Sequence, residues 1–368
     1  MAGIVPELDT PALLFDLDAM ERNLVEMATI ARDAGVALRP HTKTHKCPEI
    51  ARMQTDLGAG GITVAKLGEA EVMADAGFDD LLVAYPIVGE AKLRRLRALS
   101  ERARVRVSLD SVDVAEGIGA VGLDRGSPMG VLVEVDTGLH RMGRPPGEPS
   151  AELVLEIARV PGVEVVGLLT HAGHAYRAGS VAELEAIAER EAGELLETAE
   201  RCERGGVPIR EISVGSTPTA RMVAAAAGVS EIRPGTYVFN DVQQMRLGTA
   251  TEGTCAARVL ATVVALPWRD RFVIDAGSKA LSSDGGDGPP YPGRGVVAGR
   301  GDLTLEALTE EHGAGTHDPG GAPLAIGDRI EVIPVHACGC VNLFDVAYGV
   351  RDGTVDRTFE IAARGKVG

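Results

Sequence analysis

The chain has 368 residues, of which 45% are hydrophobic, 3% aromatic and 24% charged, and its formal net charge is -16. That length exceeds what one hydrophobic core usually holds, so two domains are expected, and the ordinary charged fraction excludes a disordered chain. The acidic balance excludes nucleic acid as a partner, because binding a polyanion rests on a basic surface. There is no basic-then-apolar leader and no apolar run long enough to span a bilayer, so no membrane partner is expected and the cytoplasm is the expected address. The five cysteines, Cys47, Cys202, Cys255, Cys338 and Cys340, are odd in number and scattered, unlike the framework of a secreted disulfide protein.

The first strand candidate covers residues 36–40 and runs into Arg39-Pro40-His41-Thr42-Lys43-Thr44-His45-Lys46. This segment places five ionisable side chains in eight residues. At the end of a barrel strand, a lysine projects into the mouth of a pocket and can hold a carbonyl cofactor as a Schiff base. Taken alone, the segment is better read as a solvated basic loop, and four further segments at matching places change that balance. Further strand candidates follow at 61–65, 80–85, 105–109, 130–135, 163–170, 211–215 and 231–238, which makes eight in all. Helical patterns with apolar residues at three- and four-residue spacing separate them, at 66–76, 89–103, 151–160 and 181–205, and Gly77, Gly162 and Gly206 stand where helices should end. Eight strand–helix units predict an α/β fold, a (β/α)8 TIM-type barrel over residues 18–245. An open doubly wound sheet is disfavoured, since no strand is followed by a Gly-x-Gly-x-x-Gly turn.

After about residue 249 the texture becomes β-rich, with runs at 256–265, 271–276, 295–298, 329–334 and 358–363 and a Gly/Pro/Asp-rich connection at 283–293. This predicts an appended, mainly antiparallel β domain over residues 246–368, joined by residues 1–17.

In a barrel of this type the site is built at the carboxyl ends of the strands. The polar clusters fall there: His41-Thr42-Lys43 after strand one, and Asp136-Thr137-Gly138-Leu139-His140-Arg141-Met142-Gly143 after strand five. His171-Ala172-Gly173-His174-Ala175-Tyr176 follows strand six, Gly215-Ser216-Thr217-Pro218-Thr219 follows strand seven, and Arg233-Pro234-Gly235-Thr236-Tyr237 lies in strand eight. The two turns on the last strands have the size and donors for a phosphate. Read singly, Ser216 or Thr217 is a helix cap, His171 a hydrogen-bonded strand-end histidine, and Arg141 and Arg233 members of ion pairs. In the β domain, His336 and Cys338 follow the strand at 329–334; on an extended segment both face one way and suit a zinc ion, with Cys340 as a rival ligand.

Together with His336-Ala337-Cys338 and Val341-Asn342, these ordered motifs resemble the fold-type III pyridoxal phosphate enzymes, specifically the D-threonine aldolase/D-serine dehydratase group of the alanine racemase-like superfamily. The resemblance implies that Lys43 carries pyridoxal 5'-phosphate, with Lys46 as the rival lysine. It further implies that Arg141 contacts the phenolic oxygen, His171 flanks the ring, Arg233 faces the pyridine nitrogen, and Ser216, Thr217, Gly235 and Thr236 hold the phosphate. Tyr176 and Tyr237, in the same motifs, are further cofactor-side candidates. It places a divalent metal, zinc or manganese, on His336 and Cys338 beside the cofactor, with His336 also catalytic, and it implies a homodimer. The implied reaction is a lyase reaction on a D-β-hydroxy-amino acid, led by D-threonine aldolase cleavage to glycine and an aldehyde, with D-serine dehydration to pyruvate and ammonia as the alternative. A racemase and a non-catalytic pyridoxal phosphate carrier remain as further readings. The first strand lacks the His-x-His of a metal-only barrel hydrolase.

Overall fold

The computed structural model describes residues 5–286 and 289–368. The first four residues of the 1–17 segment, and residues 287–288 within the 283–293 connection, lie outside the described residues. The described chain divides into two compact units. One is built mainly from residues 26–43 and 48–235, the other from residues up to 25, 44–47 and 236–364.

Eight parallel strands form the sheet of the first unit, in the order Ala37–Leu38, Glu231–Ile232, Glu211–Val214, Val163–Leu169, Met129–Glu134, Arg104–Leu109, Asp80–Val83 and Ile62–Val64. The sheet closes on itself: Thr63 N–H donates to Pro40 O and Thr42 N–H to Thr63 O, each at 2.8 Å, joining the first strand to the second. The fold is therefore a (β/α)8 barrel, as the alternation of strand and helix patterns predicts. Its longest helix, Val181–Arg204, buries Leu184, Ile187, Ala188, Ala192 and Leu195, the spacing of a stripe laid against a sheet. Ser180 starts that helix by accepting the Glu183 N–H at 3.2 Å. The last barrel strand is shorter than the 231–238 run suggested. It stops at Ile232, since Pro234 has no N–H to give a neighbour, and the chain turns through Gly235 into a short 3-10 helix at Thr236–Val238.

The barrel floor is charged where such barrels usually carry branched apolar residues. Buried Arg39, just after the first strand, donates through Nε to Glu231 at 2.6 Å and through Nη1 to Asp80 at 3.0 Å. Arg106, also buried, reaches Asp80 at 3.1 Å and bonds Glu211. Residues at the first, third, fourth, seventh and eighth strands are thus joined through one network.

The second unit is a nine-stranded sheet in the order Arg271–Ile274, Gly313–His317, Leu303–Leu308, Gly295–Val297, Arg329–Pro334, Ala257–Trp268, Ala12–Asp16, Val346–Arg351 and Thr354–Glu360. Neighbours are antiparallel except Ala12–Asp16 with Val346–Arg351, and Ala257–Trp268 also pairs with Arg271–Ile274, which curls the sheet. Phe15 stacks on Phe239 at 4.4 Å between ring centroids and packs on Phe359, forming an aromatic centre in a chain with few aromatics. The strands Leu303–Leu308, Gly313–His317 and Val346–Arg351 were not among the β-rich runs read from the sequence. Gly313 and Gly315 look like turn residues, yet a Cβ on Gly315 would lie 2.2 Å from Thr304 O, so the close approach of a neighbouring strand selects glycine there. No described helix is long and apolar enough to cross a membrane.

Candidate active site

At the carboxyl end of the barrel, Lys43 sits half-buried after the first strand, and its N–H donates to His41 Nδ1 at 3.4 Å. Burial and the cationic Lys43 and Arg233 hold the His41 imidazole well below its ordinary value. Burial, then Lys43, Arg141 and Arg233, do the same to His171. Both rings are therefore neutral at pH 7, and the same interactions bring Lys43, Arg141, His171 and Arg233 into one electrostatic cluster.

Arg233 is buried. Its Nε donates to Ser213 Oγ at 2.7 Å and its Nη2 bonds Thr170 O and, at 3.4 Å, Ser213 O. Desolvation lowers its proton affinity, opposed by Glu231, Glu134 and Glu191. Ser213 in turn donates to Glu231 Oε1 at 2.6 Å, so a single hydroxyl links the site arginine to the charged floor. Arg141 is half-exposed, with Nη2 3.5 Å from buried Glu134. Its loop is fixed by Asp136, which accepts the N–H groups of Gly138 and His140, and by Asp110, which accepts the Gly143 N–H at 2.9 Å.

The turn after the seventh strand begins with Gly215 at φ +96°, a conformation glycine adopts without strain. Ser216 and Thr217 are buried, and Ser216 N–H donates to Thr219 Oγ1 at 3.1 Å. Glu191, from the middle of the apolar stripe of Val181–Arg204, accepts the Gly215 N–H at 2.9 Å and the Thr219 hydroxyl at 3.1 Å. Sequence reading passed over Glu191, although a carboxylate at the inward spacing of an amphipathic helix is a legible signal. Tyr176 lies half-buried in the short 3-10 helix Gly173–Arg177 that follows His171.

The second unit contains the other candidates. The strand Arg329–Pro334 ends before His336, and Cys338 lies in a short helix, Ala337–Val341. The expectation that His336 and Cys338 share one face of an extended segment is thus corrected: a turn of helix brings them together, and their side chains are hydrogen-bonded. Asp241, fully buried, accepts the Ala337 N–H at the start of this turn at 3.0 Å while capping its own helix through the Gln244 N–H at 3.1 Å. Burial lowers the proton affinity of His336, but Cys338, Asp241 and Asp284 outweigh it and raise it to about 9. The Thr44 and Thr236 hydroxyls lie 3.1 and 3.7 Å from Cys338 Sγ. The rival candidate Cys340 has a buried thiol, pushed upward by desolvation, that donates to Ala280 O at 3.1 Å. Tyr237 is buried in the 3-10 helix that contains Thr236.

The donor sets fit the groups that the motifs imply. Cationic Lys43, Arg141 and Arg233 around a neutral ring, beside a hydroxyl-bearing turn, suit an anionic aromatic cofactor. An imidazole next to a thiol suits zinc. Among the described residues no group of three or more His, Cys, Asp or Glu is gathered for a metal.

Residues 15–242 match the family model for the alanine racemase N-terminal domain, and residues 256–350 match a putative serine dehydratase domain. The chain is 38% identical over 354 residues to a D-threo-3-hydroxyaspartate dehydratase of Delftia sp. (strain HT23), covering 90% of this chain and 91% of that one. It is 33% identical over 362 residues to a D-threonine aldolase of Arthrobacter sp, covering 97% and 93%. The crystal structure of a D-threonine aldolase from Filomicrobium marinum superposes with a TM-score of 0.91 at 33% identity, covering 98% of this chain and 97% of that chain. Barrel, β domain and matched motifs agree, and the chain belongs to the alanine racemase N-terminal domain family, within its D-threonine aldolase/D-serine dehydratase group.

Proposed function

We propose that this chain is a pyridoxal phosphate- and zinc-dependent lyase acting on D-β-hydroxy-amino acids, with retro-aldol cleavage of D-threonine to glycine and acetaldehyde as the lead reaction. The observation that carries this reading is the cluster at the barrel mouth, where Lys43, Arg141 and Arg233 surround histidines that burial and those cations keep neutral. When bound, pyridoxal phosphate supplies the electron sink that lets a bond at the amino acid Cα break, and zinc supplies Lewis acidity toward the β-hydroxyl.

The chain's own residues do the rest. Lys43 holds the cofactor; it would return a proton to Cα after retro-aldol cleavage, in which the β-hydroxyl proton leaves to a nearby base, and it would take the Cα proton in dehydration. Arg233, permanently protonated and tied to Ser213 and Thr170, faces the pyridine nitrogen as a donor and keeps that nitrogen free of a proton. Arg141 takes the phenolic oxygen, and neutral His171 flanks the ring without adding charge. Ser216, Thr217 and Gly235, with Thr236 next in the chain, hold the phosphate, while Tyr176 and Tyr237 line the cofactor. His336 and Cys338 hold the metal; the thiol favours zinc over manganese, which prefers oxygen ligands. We also place the protein in the cytoplasm as a homodimer.

Dehydration is the second reading, favoured by the 38% identity to a protein named as a D-threo-3-hydroxyaspartate dehydratase. The two reactions share every residue above and differ in which bond at the substrate breaks. The test incubates the purified protein with pyridoxal phosphate and zinc or manganese, and assays D-threonine for glycine plus acetaldehyde and D-serine and D-threo-3-hydroxyaspartate for 2-oxo acid. Glycine is expected, with turnover lost in Lys43→Ala and His336→Ala and bound zinc lost only in the latter. A 2-oxo acid without glycine would establish the dehydratase, and no turnover of any of the three would remove the lyase reading.

A further inference from the structure

Resting on the reading that the 215–219 turn receives the cofactor phosphate, we infer that Glu191 is the positioning residue that shapes this turn for that phosphate, acting through Gly215 and Thr219. Its carboxyl group is completely buried on the face of the Val181–Arg204 helix that otherwise carries Leu, Ile and Ala, with Thr198 and Cys202 toward the helix end. An apolar side chain would fill that layer without the cost of desolvating a carboxyl group, whose proton affinity burial raises here. What a carboxylate adds is acceptor capacity on two oxygens. Oε1 takes the Gly215 N–H at 2.9 Å, Oε2 takes the Thr219 hydroxyl at 3.1 Å, and the Ala172 N–H, beside His171, is a third donor.

The arrangement has a direction. The Thr219 hydroxyl donates to Glu191 Oε2, and its oxygen accepts the Ser216 N–H at 3.1 Å. That bond folds the turn back on Gly215 in its left-handed conformation and fixes Ser216 and Thr217 between the two anchored ends. A glutamine at 191 keeps the shape but replaces one acceptor by an NH2 donor. The Thr219 oxygen then accepts from two N–H groups and its own proton turns toward Ser216, so the orientation of the hydroxyls along the turn changes.

The experiment compares wild type, Glu191→Gln and Thr219→Val as full chains, measuring equilibrium binding of pyridoxal 5'-phosphate and of pyridoxal, which lacks the phosphate. Wild type is expected to prefer the phosphate ester strongly. Glu191→Gln is expected to weaken the phosphate ester about tenfold, as for loss of one buried hydrogen bond, and pyridoxal by no more than about twofold. Thr219→Val, which breaks the same linkage from the other side, is expected to give the same selective loss and to add little in the double variant. Equal weakening of both ligands, no change in either, or fully additive losses would overturn the inference. If Glu191→Gln fails to fold, Thr219→Val decides alone by the same criterion. If wild type itself binds both ligands alike, the phosphate reading of the turn fails, and the role of Glu191 falls with it.

Discussion

Ser213 offers a sharp test of how the barrel floor supports the site. Its hydroxyl donates to Glu231 Oε1 at 2.6 Å and accepts from Arg233 Nε at 2.7 Å, and all three residues are buried. Ser213→Ala removes both bonds and leaves a charged donor and a charged acceptor on either side of a hole too small to restore them. A hydrogen bond to a charged group contributes about 1.5–3 kcal/mol. Glu231 still has Arg39 at 2.6 Å, and Arg233 still has Thr170 O and Ser213 O, so the two losses do not both reach full size. The expected destabilisation is about 3 kcal/mol, read from urea unfolding at pH 7.5. Glu231→Gln and the double variant complete a thermodynamic cycle, in which a coupling above about 1 kcal/mol is expected because the hydroxyl and the carboxylate act through one bond. A loss below about 1 kcal/mol, or additive losses, would mean that Arg233 and Glu231 reach each other without Ser213 and that the relay described here is wrong.

Two further outcomes follow from the site geometry. His41 and His171 are held neutral in the folded chain, whereas the unfolded imidazole takes up a proton near its ordinary value of about 6.5. Above that pH neither state gains a proton; as pH falls below it the unfolded state gains protons first, so stability is lost at up to about 1.4 kcal/mol per pH unit for each histidine, until the folded rings titrate. Urea midpoints should fall between pH 7.5 and pH 5.5, and His41→Asn should flatten the dependence; identical slopes would refute the assignment. Gly143 and Gly215 both have left-handed φ angles, +92° and +96°, but a Cβ on Gly143 would lie 2.7 Å from Asp136 N, whereas on Gly215 the nearest atom is a Val223 methyl at 3.4 Å. Gly215→Ala should cost about 1–2 kcal/mol and Gly143→Ala clearly more, because backbone cannot step aside, and equal thermal midpoints for the two variants would contradict this.

The parts legible in the sequence are those where local pattern and chemistry coincide. Strand candidates at 105–109, 130–135, 163–170 and 211–215 lie within a residue or so of the strands observed, because each is a short apolar run bounded by turns or helices. Lys43, Arg141, His171 and Arg233 gather in one electrostatic cluster because each follows a strand and every strand of a parallel barrel points its end the same way. What escaped depends on partners distant in sequence. Gly315 takes its reason from Thr304 O across a ladder, Glu191 from turns about twenty residues to either side, and the meeting of His336 with Cys338 from Asp241, which reaches the Ala337 N–H from 96 positions away. A period-two pattern puts those two candidates on a strand because nothing local announces the helical turn whose first N–H Asp241 accepts.

The floor of Arg39, Asp80, Arg106, Glu211 and Glu231 also bears on how the barrel finds its register. An aliphatic floor tolerates a strand that slips by one residue, since one branched side chain replaces another with little penalty. Here the same slip would carry an arginine or a carboxylate out of the ring's interior and press it under the helices, stranding its partners at the same time. The charges act as a lock with matched pins. They make misaligned closures costly during assembly, and they leave the loops at the other end free to diverge in chemistry while the ring beneath keeps one alignment.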